Sequence, residues 1–261
     1  MRMTSCQSPL MDDACRAIAG YVAARLGLPV RFVDELPWPE RYRQLDAGMI
    51  DVAWICGAPY VRRVDAGAGI ELLAAPVWVG PRYGDQPVYF SDVVVRRESR
   101  FATFADLRGA IWAYNEPGSF SGYEVMRHHL AAQGLDGSFF AAWVESGAHG
   151  RSLELVYSGV ADVAAIDSTV LEAESARRPQ LRDALRVLAV FGPNPMPPWV
   201  VSRHVAPATR ARLRELFTAM HVDSAGRAIL QAGGMARFVA VTDTDYDPTR
   251  RVLEVTAGVK L

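Results

Sequence analysis

Two serines and two glycines stand together in Gly118-Ser119-Phe120-Ser121-Gly122, between the apolar run "AIWAY" and a helix-like stretch. Hydroxyls and backbone N–H groups at a strand-to-helix turn suit one kind of chemistry above others, the holding of a tetrahedral oxyanion. Free N–H groups and the positive end of the helix dipole meet at one point there, and glycine lets a ligand approach the backbone. Ser121 and Glu124 also read as an S-x-x-E capping box, a helix start that needs no ligand. A nucleophile elbow would be G-x-S-x-G; here Phe120 occupies the nucleophile's place. A Ser/His/Asp set can be drafted from Ser121, His149 and Asp167, but such sets arise easily by chance in a chain of 261 residues.

His149 lies in "ESGAHGRSLELV", in a glycine-flanked loop before a helix. It follows the next strand, so a parallel sheet brings it to the same edge as Ser119 and Ser121. Asp167 ends the strand "DVAAI". It is either the N-cap of the following helix or a carboxylate that receives an amine on a ligand. Trp38, Trp54, Tyr60 and Tyr89 fall at or beside loop–strand boundaries, where aromatic side chains line a cleft or fill a core. Trp38 stands in a loop between Pro37 and Pro39. His128 and His129 are adjacent on a helix, face different ways and form no metal pair. No P-loop or dinucleotide fingerprint is present, and neither a cofactor nor a metal is expected.

The elements that must position these groups alternate. Strand-like runs at "MRMTSC", "VRFV", "DVAWI", "ELLAAPVWV" and "VYFSDVVV" are interleaved with helical patterns,. The middle repeats the alternation with "AIWAY", a helix over 121–133, "FFAAWV", a helix over 151–158, "DVAAI" and a helix over 168–177. After "RVLAVF" and the proline-rich "GPNPMPPW" come helices over 207–221 and 224–231, then "FVAV" and a polar tail. This order predicts an α/β fold with mostly parallel sheets. Chain crossings near Val88–Val95 and Val187–Trp199 predict two lobes with a ligand cleft. The first lobe takes 1–91 plus 195–261 and the second takes 92–194.

Composition narrows the partners. Half of the residues are hydrophobic, 22% are charged and the net charge is −1. Nothing pulls this chain toward nucleic acid, and no run is long and apolar enough for a membrane span. Cys6, Cys15 and Cys56 show no metal spacing and are odd in number. "MRMTSCQSPLMDD" lacks the apolar core of a secretory signal. Either the protein stays inside the cell or a signal has been removed.

Taken together, "DLRGAIWAYNEPGSFSGYEVMRHHLAAQGLD", "GAHGRSLELVYSGVADVAAID", "LDAGMIDVAW" and "ILQAGGMARFVAVTDTDYDPTR" resemble, in order, segments of the phosphonate/phosphate-type substrate-binding proteins of ABC transporters. The resemblance implies a type II periplasmic-binding fold, two lobes joined by a two-strand hinge, and no catalysis. It implies that Ser119, Ser121 and His149 hold a phosphonate- or phosphate-like anion, with Phe120 and Gly122 in the same turn. By position, Trp38 lines the cleft and Asp167 lies near a place that meets a ligand amine. It further implies closure on the ligand and an ABC permease as partner. Phe120 replaces the family's middle Ser/Thr, which removes a hydroxyl and keeps an N–H. The alternative is an enzyme or a cytosolic ligand sensor on the same scaffold, with Cys56 as the thiol to watch.

Overall fold

The computed structural model describes residues 1–258. The chain forms two compact units, one of Met1–Val88 with Pro195–Asp247, the other of Tyr89–Asn194 with the segment from Pro248 onward. The expectation put positions 89–91 and 248–258 in the first lobe; they group with the second unit. The physical tie is Arg127, whose guanidinium donates to the carbonyl of Thr256 at 2.7 Å.

In chain order the first unit opens with β1 (Arg2–Ser5), α1 (Asp12–Leu26), β2 (Arg31–Val33), α2 (Trp38–Asp46), β3 (Val52–Trp54), α3 (Gly57–Asp65) and β4 (Ile70–Trp78). The second unit holds most of β5 (Val88–Arg96), then β6 (Ile111–Tyr114), a π turn (Phe120–Glu124), α4 (Val125–Ala132) and β7 (Ala142–Glu145). It continues through α5 (His149–Ser158), β8 (Val163–Asp167), α6 (Ser168–Arg177), α7 (Pro179–Ala184) and β9 (Leu185–Pro195). The first unit is completed by β10 (Trp199–Ser202), α8 (Pro207–Ala219), α9 (Ser224–Ala232) and β11 (Met235–Val239). The expected polar tail is α10 (Asp247–Thr256), and the "GPNP" passage is the end of a long strand.

Local chemistry accounts for the element ends. In α1, Cys15, Ile18, Ala19 and Val22 recur at helical spacing and are buried,. Gly27 stops the helix at φ 66°, a left-handed conformation that glycine adopts without strain,. Trp38 is not in a loop: with Pro37 as N-cap and Pro39 in the first turn, it opens α2,.

The sheets are mixed rather than mostly parallel. The first unit has the order β11-β4-β10-β3-β1-β2. β1 runs parallel to β2 and β3, whereas β10 is antiparallel to β3 and β4, and β11 is antiparallel to β4. The antiparallel members arrive after the chain returns from the second unit, from the opposite direction. The second sheet has the order β7-β6-β8-β5-β9, with β6 parallel to β7 and β8, and β5 antiparallel to β8. β8 is buried at all five positions, as a central strand covered on both faces must be. Trp112, Met126, Leu130, Phe139 and Val163 are core members of this unit.

Arg41 is the buried cation that ties the first unit's strand ends. It is 6% exposed and donates to the carbonyls of Leu36 at 2.6 Å, Asp34 at 2.5 Å, and Ser5. Removing it strands three carbonyls that the fold has already taken from water. Arg41→Ala is therefore expected to lower the unfolding free energy of this unit by about 3 kcal/mol in a urea titration. A change below about 0.5 kcal/mol would mean that water replaces the guanidinium at no cost.

Candidate functional site

The site begins at the end of β6. The loop after β7 is sewn to this strand end: Ser146 N–H donates to Tyr114 O and Gly147 N–H to Asn115 O, both at 2.8 Å. Ser146 Oγ lies 3.0 Å from Tyr114 O and 2.6 Å from the buried Ser152 Oγ of α5. These bonds fix where α5 starts, and its first residue is His149, expected in the loop before the helix. His149 Nε2 lies 3.2 Å from Ser121 Oγ. Two segments 28 positions apart thus meet as expected from a parallel β6–β7 pair.

The turn itself departs from the expected capping box. Ser119, not Ser121, is the N-cap, and its Oγ accepts the N–H of Gly122 at 3.1 Å. Glu124 pairs with Arg127 at 2.9 Å instead of reaching back to Ser121. The first turn is π-helical, with the N–H of Val125 bonding to Phe120 O; such wide turns recur at functional sites. A helix start leaves its first N–H groups without intrahelical acceptors, here those of Phe120 and Ser121. Phe120 is 1% exposed and belongs to the core, so its contribution to a ligand would be its N–H rather than its ring.

Gly122 is where close packing allows no side chain. A Cβ there would fall 2.0 Å from Asn115 Oδ1 and 3.0 Å from His149 Cε1. Asn115 was missed from sequence. Its Oδ1 is buried without a partner, and so is His149 Nδ1. Burial lowers the His149 pKa to about 4, so the imidazole is neutral at physiological pH. His149 as a whole residue is half-buried, while its Nδ1 is fully covered. Nearby acids add no positive charge: burial, then the charge of Glu145, raises the Glu116 pKa. The donors that converge here are two serine hydroxyls, first-turn N–H groups and a neutral ring.

Among the other candidate residues, Asp167 ends β8, the strand that packs against the π turn. Asp167 caps α6, accepting from Thr169 N at 2.8 Å and Thr169 Oγ1 at 2.7 Å. Trp54 donates its indole N–H to Pro197 O at 2.9 Å and stacks on Trp199 with centroids 5.7 Å apart. Tyr60 donates its hydroxyl to Asp243 at 2.7 Å. Trp54, Tyr60 and Tyr89 are at most 2% exposed and are core residues of their units. Trp38 is half-buried. A separate cavity of about 780 Å³ in the first unit is lined by Arg62, Arg63, Ser202, Arg203 and His204 among others and touches none of the candidates.

With this geometry established, the relatives can be compared. Residues 2–246 match the family described as ABC transporter, phosphonate, periplasmic substrate-binding protein. The chain belongs to this family. Its fold is that of the binding protein component of an ABC phosphonate transporter from Pseudomonas aeruginosa, at TM-score 0.86 and 18% identity, covering 98% of this chain and 86% of that one. It is equally that of PhnD1 from Prochlorococcus marinus in complex with methylphosphonate, at TM-score 0.87 and 14% identity, covering 99% and 98%. The aliphatic sulphonate binding protein SsuA from Escherichia coli shares the fold at TM-score 0.65 and 15% identity, covering 98% and 86%. The two-unit α/β architecture is therefore the type II periplasmic-binding fold. Among the described residues no helix is long and apolar enough to cross a membrane.

Asp167 also yields a test. Burial is the main cause that raises its pKa to about 6, partly opposed by the bonds from Thr169. The folded chain therefore holds this proton more tightly than the unfolded chain. Stability falls as pH rises from the ordinary carboxylate range through about 6, with a slope of up to about 1.4 kcal/mol per pH unit,. Asp167→Asn keeps a capping oxygen and removes the titration. Its stability is expected to be flat across that window, read by denaturant titrations at several pH values; an unchanged slope would show that another group titrates.

Proposed function

We propose that this family member captures a small phosphorus oxyanion of the phosphonate class at the Ser119–Gly122 turn and delivers it to an ABC permease. The observation that carries the reading is the convergence of Ser119, Ser121 and His149 on one helix start, with Ser121 Oγ and His149 Nε2 only 3.2 Å apart. A tetrahedral anion presents several acceptor oxygens, and this turn presents hydroxyl and N–H donors. The donors are held in place before the ligand arrives, so little reorganisation opposes binding. The family and the methylphosphonate held by the Prochlorococcus marinus relative support the ligand class.

The same arrangement argues for capture without chemistry. The ring of Phe120 is turned into the core where an elbow would expose a nucleophile. Ser121 has a neutral imidazole beside it, but His149 Nδ1 meets no carboxylate that would orient and stabilise it as a catalytic base,. Cys56 has a partner, and Cys15 is a core residue whose thiol burial pushes up to about 12.

Thermal-shift titration tests this reading. Methylphosphonate at about 100 times its dissociation constant should add about 2.7 kcal/mol of stability. The Ser121→Ala/His149→Ala double variant should fold and show no shift. Gly122→Ala should weaken binding by about 100-fold or more, since its methyl group displaces Asn115 or His149. Undiminished binding by the double variant would overturn the site.

A further inference from the structure

Two polar atoms are buried without partners at one point of this site, Asn115 Oδ1 and His149 Nδ1. Both side chains close on Gly122. Asn115 Oδ1 and His149 Cε1, the ring carbon bonded to Nδ1, lie 2.0 and 3.0 Å from the position of a Cβ there. An amide oxygen only accepts, whereas an imidazole nitrogen donates or accepts according to the tautomer. With Nδ1 bare, two acceptors are enclosed together with no donor, and both forfeit their hydration. With the proton on Nδ1, the ring offers a donor on the side of Gly122 that the Asn115 oxygen also faces, and an N–H···O bond between them would satisfy both.

We propose that Asn115 positions His149 as the Nδ1–H tautomer, so that capture of the oxyanion is accompanied by uptake of one proton on Nε2. The inference rests on the anion-site reading above. In the free protein a bare Nε2, 3.2 Å from Ser121 Oγ, accepts the serine hydroxyl. An arriving oxyanion claims that hydroxyl and would face the lone pair of Nε2. A solvent proton resolves the conflict. Only an N–H bond forms, and the imidazolium then donates Nδ1–H to Asn115 and Nε2–H to the anion. It also supplies the positive charge that the site otherwise lacks.

The surrounding charges permit this step. Glu116, beyond the end of β6, is pushed toward its neutral form by burial and then by the charge of Glu145. From α6, Glu174 and Arg178 approach Gly150 as a mutual ion pair at 2.8 Å. On α5 itself Glu154 is held by Arg151 and Arg178 at 2.8 and 3.0 Å. Within the turn Glu124 is paired with Arg127 at 2.9 Å. Burial keeps the free ring neutral, with a pKa of about 4. Ligand-linked uptake is therefore visible above that value and below the raised pKa of the complex.

Nitrogen NMR of histidine-labelled protein, with the His149 signal assigned by His149→Gln, reads the tautomer directly. The proposal expects Nδ1–H in the free wild type and loss of that preference in Asn115→Ala. Calorimetry with methylphosphonate at about pH 5.5, in two buffers of different ionisation enthalpy, counts protons while the ligand keeps one charge. Wild type should take up close to one proton per ligand. Asn115→Asp, close in shape should the alanine variant fail to fold, should carry the proton beforehand and take up far less. An Nε2–H ring in the free wild type, or binding without proton uptake, overturns the proposal. Failure of methylphosphonate to bind overturns the anion-site reading, while the NMR tautomer still decides the role of Asn115.

Discussion

Three segments meet at the backbone of Gly122: the end of β6 through Asn115, the π turn itself, and, from farther along the chain, the start of α5 through His149. The contact is too close for any side chain, since a Cβ would overlap Asn115 Oδ1. That closeness brings Ser121 under the imidazole and leaves the first N–H groups of the turn with nothing inside the helix to bond. The loop after β7 enforces it by spending two backbone N–H groups on the β6 end. A fixed cluster of hydroxyl and N–H groups thus follows from ordinary sheet geometry plus one missing methyl group.

The electrostatic character follows from the same packing. No cation is held in the turn; Arg127 nearby is committed to Glu124 and to the C-terminal helix. Donors act over hydrogen-bond distances, and a net charge of −1 offers no long-range attraction. The fold itself is shared with the aliphatic sulphonate binding protein SsuA, so under the proposed reading any choice among oxyanions would rest on donor geometry and proton count.

Much of this was legible in the sequence because its signals are local. The alternation of strands and helices gave the α/β class, and the Ser-Phe-Ser-Gly turn with His149 downstream pointed to the place where Ser121 and His149 meet. What was lost depended on distance. The capping box fell on Ser121 because S-x-x-E matched there, but Arg127 draws Glu124 away and Ser119 caps the turn. Trp54 and Tyr89 lie on strands and Tyr60 lies in α3, and in either setting an aromatic ring filling the core has the same sequence signal as one facing a ligand; the bonds of Trp54 to Pro197 and of Tyr60 to Asp243 come from far along the chain. Asn115 carried no signal, since only the arrival of Gly122 and His149 makes its oxygen unusual. The antiparallel strands β10 and β11 were unreadable for a similar reason: strand direction depends on where the returning chain enters the sheet.

The central claim is that the N–H groups of Phe120 and Ser121 are offered to a phosphorus oxyanion. Titrating nitrogen-labelled protein with methylphosphonate and following its amide resonances tests this most directly. The account predicts that the amides of Phe120 and Ser121 shift strongly and saturate together with the His149 ring signals. Saturable binding that leaves those two amides in place would contradict it.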